Sequence, residues 1–434
     1  MLIGPNGCGK TSLLAPFLLL KQTLASVDKS IPLVTRGELV STGSFTDIVF
    51  RHDDLAEIRF YLGFHRHEPD SAEPLEAPPT YPPGGYLVGF TAVDDPTGLT
   101  VSRVEVEDWF GQNLLRRKRR SSGSYSLTTP PDLPKGTSED DLGRAASTAI
   151  RAAQPKHFMF TTDDIVSAVL KKARAIRRES GPIELGEATS LYLTTVDVIA
   201  EELQNFVSRT RFLGPLRQEP RRAYELMGIR PEDVGTRGEY APELVYWGRD
   251  TDLIPRINTW LRRFGFDSEL SITPLPPDTF SVCLTDQQDN MTVNLADTGF
   301  GLSQLLPILV QGTIAETDSV FVVEEPEIHL NPRMQTVLAD FFTDMASHSR
   351  RVLVETHSEH LLLRLRRLVA EGRLSASDVA IYYVEKDGAV ATVREVRLAD
   401  NGHIEPETWP SGFFEESLNE AMELALAQAG RRAP

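Results

Sequence analysis

Along the chain, stretches of helical spacing alternate with short apolar runs that end in polar residues. Over residues 12–24, Leu13, Leu14, Phe17, Leu20 and Leu24 recur at the spacing of one helix face. From about residue 38 to 64 the pattern turns strand-like, in Glu38-Leu39-Val40, Asp47-Ile48-Val49-Phe50 and Ile58-Arg59-Phe60-Tyr61-Leu62; it resumes at Tyr86 to Phe90 and Val101 to Val106. Short antiparallel strands are expected there. Helical periodicity returns between about 142 and 210, with Ile165, Val169 and Lys172 on one stripe and Val196, Ile199, Leu203, Phe206 and Val207 on a better one. Residues 251–264 predict another amphipathic helix, and Phe280 to Leu284 with Met291 to Leu295 a hairpin. Val320 to Val323 and Val352 to Val354 are apolar throughout, as in strands of a parallel sheet covered on both faces. A helix over 359–371, a strand pair at Val379–Val384 and Ala391–Val396, and an amphipathic helix after residue 415 complete the pattern.

Composition narrows the class. At 434 residues, 41% hydrophobic and 25% charged, the chain reads as an ordinary globular protein of one composite domain or two. Its longest apolar run, Leu13 to Leu20, is broken by Pro16 and is too short to span a bilayer, so no membrane partner is expected. Two cysteines cannot staple a fold of this size, and no basic leader precedes the first motif; a reducing, cytoplasmic location is expected. The net charge of −17 argues against a surface that binds nucleic acid everywhere. It leaves local basic patches at Arg116 to Arg120, Arg209 to Arg222 and Arg364 to Arg367. The first lies in an irregular, polar insertion (111–140) and reads as a solvated loop; the second reads equally as a salt-bridged or a phosphate-facing loop. Glu68 to Gly85, dense in proline and acid, reads as a surface loop.

The chemistry begins at Gly4-Pro5-Asn6-Gly7-Cys8-Gly9-Lys10-Thr11, a G-x-x-x-x-G-K-[ST] phosphate-binding loop running into Ser12 and the first helix. Its glycines let successive N–H groups turn toward anionic oxygens, Lys10 reaches terminal phosphates, and the Thr11 hydroxyl is a Mg²⁺ ligand. Only Met1-Leu2-Ile3 precede Gly4, so the strand before the loop is either a stub or recorded incompletely. A glycine-rich turn, Asp297 to Gln304, runs into an apolar helix, a geometry that also makes an anion site. The strand Val320–Val323 then delivers Glu324-Glu325-Pro326-Glu327 at its C-terminal end, where parallel sheets place ligands. Glu324 is expected to hold Mg²⁺ and Glu325 to orient or deprotonate an attacking water. His357, at the tip of the next strand, stands where a γ-phosphate sensor would donate a hydrogen bond.

These motifs resemble the ABC-type ATPase heads of SMC, RecF and OLD (overcoming lysogenization defect) proteins, and within them bacterial stand-alone AAA-type ATPases with an uncharacterised C-terminal domain. Gly4 to Thr11 corresponds to Walker A, Gly299 to Gln304 to the signature, Val320 to Pro332 to Walker B and the D-loop, and Glu355 to His360 to the switch histidine; Gly214 to Arg217 and Trp409 to Phe414 match recurring elements. The resemblance implies an α/β P-loop NTPase head with an antiparallel β subdomain and a helical insertion. The expected division is 1–135 (P-loop and β lobe), 136–265 (helical lobe), 266–378 (signature, Walker B and switch) and 379–434 (C-terminal appendage). It also implies ATP and Mg²⁺ as cofactors and a homodimer with nucleotide between subunits. Gly301, Ser303 and Gln304 of one copy would face the phosphates held by the other, with Leu330-Asn331-Pro332 along the seam. Departures exist: the signature is Gly-Leu-Ser-Gln, glutamate replaces the Walker B aspartate, and Gln22 lies too early for a Gln-loop, where Arg51-His52-Asp53 stand instead. No nuclease or zinc motif follows. The expected role is an ATP-driven dimerisation switch controlling a separate nuclease or toxin effector in anti-phage defence; the alternative is a RecF-like repair ATPase binding DNA across the closed dimer.

Overall fold

The structure is a computed structural model that describes residues 1–64, 84–93, 98–108, 113–128, 155–159, 187–405 and 423–424. The chain forms two compact units, one of Met1–Leu14 with Arg209–Pro434 and one of Ala15–Ser208. In chain order the strands are β1 (Leu2–Ile3), β2 (Ile58–Phe64), β3 (Gly84–Ala92), β4 (Leu99–Glu107), β5 (Asn113–Arg119), β6 (Tyr125–Thr128), β7 (Thr210–Leu213) and β8 (Tyr224–Glu225). They continue as β9 (Ser268–Leu275), β10 (Thr279–Asp286), β11 (Thr292–Asn294), β12 (Val320–Glu324), β13 (Arg351–Glu355), β14 (Ile381–Asp387) and β15 (Val390–Val396).

The first unit is built on a six-stranded sheet in the order β15-β14-β1-β13-β12-β7, parallel throughout except for the β14–β15 edge hairpin. All five residues of β12 are buried, which explains an apolar run without alternation. The stub β1 lies in the middle, pairing with both β13 and β14 through Leu2 and Ile3. Helix Pro332–Ser347 joins β12 to β13, and helix Glu359–Ala370 follows β13. Each start is capped: the Asn331 side chain accepts from Met334 N–H, with Pro332 at the first helical position, and Ser358 Oγ accepts from Leu361 N–H. Polar clamps tie the two helices. Ser358 Oγ donates to Gln335 Oε1 at 2.7 Å, Gln335 Nε2 donates to Leu330 O at 2.8 Å, and Arg364 grips both oxygens of Asp340. Helix Phe300–Ile314 is buried from Leu302 to Thr313, and Trp260 on helix Leu253–Phe264 meets Phe341 edge-on at 5.0 Å. A second, antiparallel sheet in this unit sets β10 among β8, β9 and β11. The expected hairpin is β10–β11, and β9 adds a further strand that buries Leu270 against β10.

The second unit is an antiparallel meander, β2-β3-β4-β5-β6. Tyr86, Val88, Phe90, Val104 and Val106 bury one face, with Val196, Ile199, Leu203 and Val207 of helix Glu187–Ser208 in the same core. Two expectations are corrected here. Residues 38–50 are not strands: Phe45–Ile48 is a helical turn in which Asp47 accepts from Ser44 N–H, and Phe50–His52 is a tight turn with Arg51 and His52 at positive φ. Local capping by the Ser44 and Asp47 side chains outcompetes strand pairing here. The basic run is not a loop either, since Arg116 to Arg119 lie in β5. Alternation puts Arg117 inside, 3.6 Å from the Tyr125 ring centroid, while Arg116 pairs with Glu105 at 3.1 Å. Gln22 is structural, bonded to the backbone of Val34 and Val40. Residues 68–83, residues 129–154, the stripe of Ile165, Val169 and Lys172, the segment Trp409 to Phe414 and, apart from residues 423–424, the helix expected after 415 lie outside the described residues.

Candidate functional site

The loop between β1 and helix Lys10–Ala25 requires its glycines. Gly4, Gly7 and Gly9 have φ of 149°, 71° and 104°, and a Cβ on Gly4 would lie 2.1 Å from Val384 O. Pro5, Asn6 and Gly7 are exposed and Cys8 is buried. Lys10 is only 4% exposed and folds over the loop, its ammonium donating to Gly4 O at 3.0 Å and Pro5 O at 2.9 Å. Thr11 and Ser12 open the helix on its exposed side, where first-turn N–H groups lack intrahelical partners. The Thr11 hydroxyl donates to the Glu355 carboxylate, 3.2 Å from each oxygen.

Glu355 is the site residue that sequence reasoning passed over. It ends β13, directly opposite Glu324 at the end of β12 and opposite Leu2 of β1, so sheet register gathers the Walker-type residues of three strands. The available signal was the run Val352-Leu353-Val354 ending in an acid, a repeat of the β12 pattern. Both carboxylates are buried and crowded. Burial, then Glu355, then Glu325 push Glu324 up to about 7, and burial raises Glu355 against the pull of Lys10 and Thr11.

Glu325 has φ of +42°, a left-handed backbone unusual outside glycine and found at functional sites, and its N–H donates to Glu355 O at 2.7 Å. Beneath it lies Arg217, which is neither a salt-bridged surface residue nor a phosphate-facing one. Its guanidinium donates to Glu324 O (2.8 Å), Glu325 O (3.0 Å) and Pro215 O (3.1 Å), and burial lowers it to about 10 despite the attraction of Glu327, Glu325 and Glu324. His357 is partly buried; burial and Lys10 lower its pKa, favouring the neutral imidazole with one N–H to donate. Its backbone N–H donates to Glu327 Oε1 at 2.6 Å, and Glu327 Oε2 is buried without a partner.

The donor set fits Mg²⁺. Thr11, Glu324 and Glu355 offer hard oxygen ligands, and the raised carboxylates mark negative charge that a divalent cation would neutralise. Among the described residues no three His, Cys, Asp or Glu side chains form a metal cage, which a cation held by two carboxylates, water and phosphate does not need.

The signature residues lie apart from this cluster. Gly299 caps helix Phe300–Ile314, a full turn before Ser303. Ser303 and Gln304 are buried, and the Ser303 hydroxyl turns back to donate to Phe300 O at 2.8 Å. Gly301 packs on the D-loop-like segment, where a Cβ would lie 3.1 Å from His329 O. What this end of the helix exposes is Gly299 and the Phe300 ring, 5.8 Å from His329.

Residues 247–362 match the family described as AAA ATPase domain, and residues 374–424 a protein family of unknown function, DUF3696. No curated protein matches the chain. Among solved structures, the SMC head domain from Thermotoga maritima is 10% identical over 92% of this chain and 89% of that one, with a TM-score of 0.33. An SmcHead bound to the C-winged helix domain of ScpA is 10% identical over 92% and 90%, with a TM-score of 0.39. An Smc head with an extended coiled coil, bound to the C-terminal domain of ScpA derived from Pyrococcus furiosus, is 10% identical over 98% and 92%, at 0.35. Among the described residues no helix is long and apolar enough to cross a membrane. With a phosphate loop, a parallel sheet and carboxylates at its strand ends, the chain is a mixed α/β protein of the P-loop ATPase fold, and its residues 247–362 are similar to the AAA ATPase domain family.

Proposed function

We propose that the protein is an ATP-binding and ATP-hydrolysing switch that works by dimerising. The observation that carries this is the Thr11 hydroxyl on the Glu355 carboxylate, with Glu324 opposite in register and Lys10 behind. In this reading the loop N–H groups and Lys10 hold the phosphates, and Thr11, Glu324 and Glu355 hold Mg²⁺, which when bound offsets charge on the phosphate oxygens. Glu325 accepts the proton of the attacking water from its strained position at the end of β12. The neutral His357 ring donates to the γ-phosphate. A second copy closes the site with the N-terminal end of its helix Phe300–Ile314. Because Ser303 is buried, the groups that end offers are the Gly299–Gly301 backbone and Phe300.

The closed dimer would then act on a separate effector, a nuclease or toxin, in anti-phage defence, as the family resemblance suggests. Binding DNA across the dimer is the weaker reading. Arg116, Arg222, Arg364 and Arg367 already pair with Glu105, Asp297, Asp340 and Glu371, and Arg117 is buried. ATP turnover and light-scattering mass of the parent, Glu325→Gln and Lys10→Ala test the switch. Glu325→Gln is expected to lower turnover at least about 100-fold and to accumulate an ATP-bound dimer, while Lys10→Ala binds no nucleotide. Turnover at the parental rate in Glu325→Gln would remove Glu325 from the chemistry.

A further inference from the structure

The first unit holds a second concave site, built at the other end of β13. Helices Leu253–Phe264, Phe300–Ile314 and Pro332–Ser347, with the turn leading into β13, enclose a cleft of about 220 Å³. Its ionisable lining is Arg256, Arg263, His348, Arg350 and a single carboxylate, Asp344.

One carboxylate serves all the cations of this cleft, and Asp344 offsets only part of the burial and repulsion that depress Arg350. Asp344 lies nearest His348, at 3.9 Å. Among the described residues Arg256 pairs only with Asp252, the exposed cap of its own helix, at 3.8 Å, a pairing of little strength. Arg263 spreads over the Trp260 ring at 4.5 Å, and no carboxylate among the described residues bridges it. Arg350 is the informative residue. It gives one N–H to Gly312 O at 3.2 Å, while its Nε is buried with no hydrogen-bond partner. Burial, and then the facing charge of Arg256, depress its guanidinium. An unmet donor on this guanidinium shows a cation with too few acceptors inside the fold. In a chain of net charge −17, three arginines around one cavity are a local reversal of sign.

We propose that this cleft binds a small phosphate-bearing molecule. Guanidinium forks match phosphate oxygens two at a time, and three forks exceed what one carboxylate can use. With a water taking about 30 Å³, the cleft has room for roughly seven, enough for one or two phosphates and a short remainder. Its concavity, with Arg350 at the wall, suits a compact anion better than the convex backbone of duplex DNA. The site is separate from the nucleotide loop. Arg350 stands just before β13 and His357 just beyond it, so five strand residues, about 16 Å, lie between them. The proposal does not depend on the ATPase reading.

The test uses the full chain carrying Lys10→Ala, which disables the P-loop, and inorganic pyrophosphate as the probe in calorimetric titration. Saturable binding of one equivalent is expected, weakened at least tenfold by adding Arg256→Ala with Arg263→Ala and largely restored by Arg256→Lys with Arg263→Lys. If the alanine pair does not fold, Arg256→Gln with Arg263→Gln, which keeps most of each side chain and removes the charge, takes its place with the same tenfold loss expected. No binding to the Lys10→Ala chain, or binding unchanged within twofold by the alanine pair, would overturn the assignment. Displacement of pyrophosphate by duplex DNA at equal phosphate concentration would overturn the ligand class.

Discussion

Replacing Glu324 by glutamine keeps the shape of the side chain and removes its charge. In the folded chain Glu324 is pushed from an ordinary 4.5 to about 7, burial contributing most and Glu355 next. Between those values the folded chain keeps a proton that the unfolded chain has lost. Stability from this group is therefore full below about pH 4.5 and drains away as pH rises to about 7. At about 1.36 kcal/mol for each pH unit crossed, the loss is at most about 3 kcal/mol, and water reaching the strand end leaves about 2 kcal/mol. Glu324→Gln is spared that loss. In EDTA without nucleotide, its melting temperature at pH 8 should exceed the parent's by about 4–8 °C, at about 2–4 °C per kcal/mol for a unit of this size. The gain should shrink to about a quarter at pH 5, where little of the parental stability has yet been lost. Scanning fluorimetry at the two pH values reads this directly, and Mg²⁺-dependent turnover in the same variant should fall. A lower melting temperature at pH 8, or equal gains at pH 5 and pH 8, would mean that the strand-end carboxylates are not uncompensated.

Three further outcomes follow from the same geometry. Gly4→Ala should cost more than about 2 kcal/mol in urea melts, because its Cβ meets the backbone carbonyl of Val384 at a φ that alanine does not tolerate. Arg217→Met should cost about 3 kcal/mol by stripping the donors from Glu324 O, Glu325 O and Pro215 O; a cost below 1 kcal/mol would show that those bonds are not holding the strand end. Glu327→Ala should lose about 1–3 kcal/mol and slow hydrolysis with ATP affinity unchanged, whereas Glu327→Gln, which still accepts from His357 N–H, should stay near the parent in both.

The parts of this fold that were legible in the sequence are those whose signal is local. A glycine pattern with Lys10, an apolar strand tipped by Glu324-Glu325, and a second one tipped by Thr356-His357-Ser358 each announce themselves within ten residues. What depends on register does not. Glu355 is a site residue only because β13 pairs with β12 and β1 so that three chain segments meet there, which no spacing encodes. Arg217 lies more than a hundred residues before the carbonyls it binds. The run Arg116 to Arg119 misled for a related reason: basic residues read as solvated until a strand turns alternate ones inward and a tyrosine ring covers one. The resemblance implied that Ser303 faces the phosphates of a second copy, but the helix begins a turn earlier, at Gly299, and the Ser303 hydroxyl turns back to Phe300 O.

The clamps between the two helices that flank β13 bear on how a signal leaves the site. Leu330 is tied to Gln335, Gln335 to Ser358, and Arg364 to Asp340, so the segment at the proposed dimer seam and the residue after His357 belong to one stiff body. A stiff body has no internal slack in which a displacement can be lost. If the site works as proposed, a shift of His357 on phosphate release would carry to that segment, and a load on the outer face of either helix would be felt at the phosphate. A protein that leans on this surface would thus set the hydrolysis rate mechanically, without reaching into the nucleotide site.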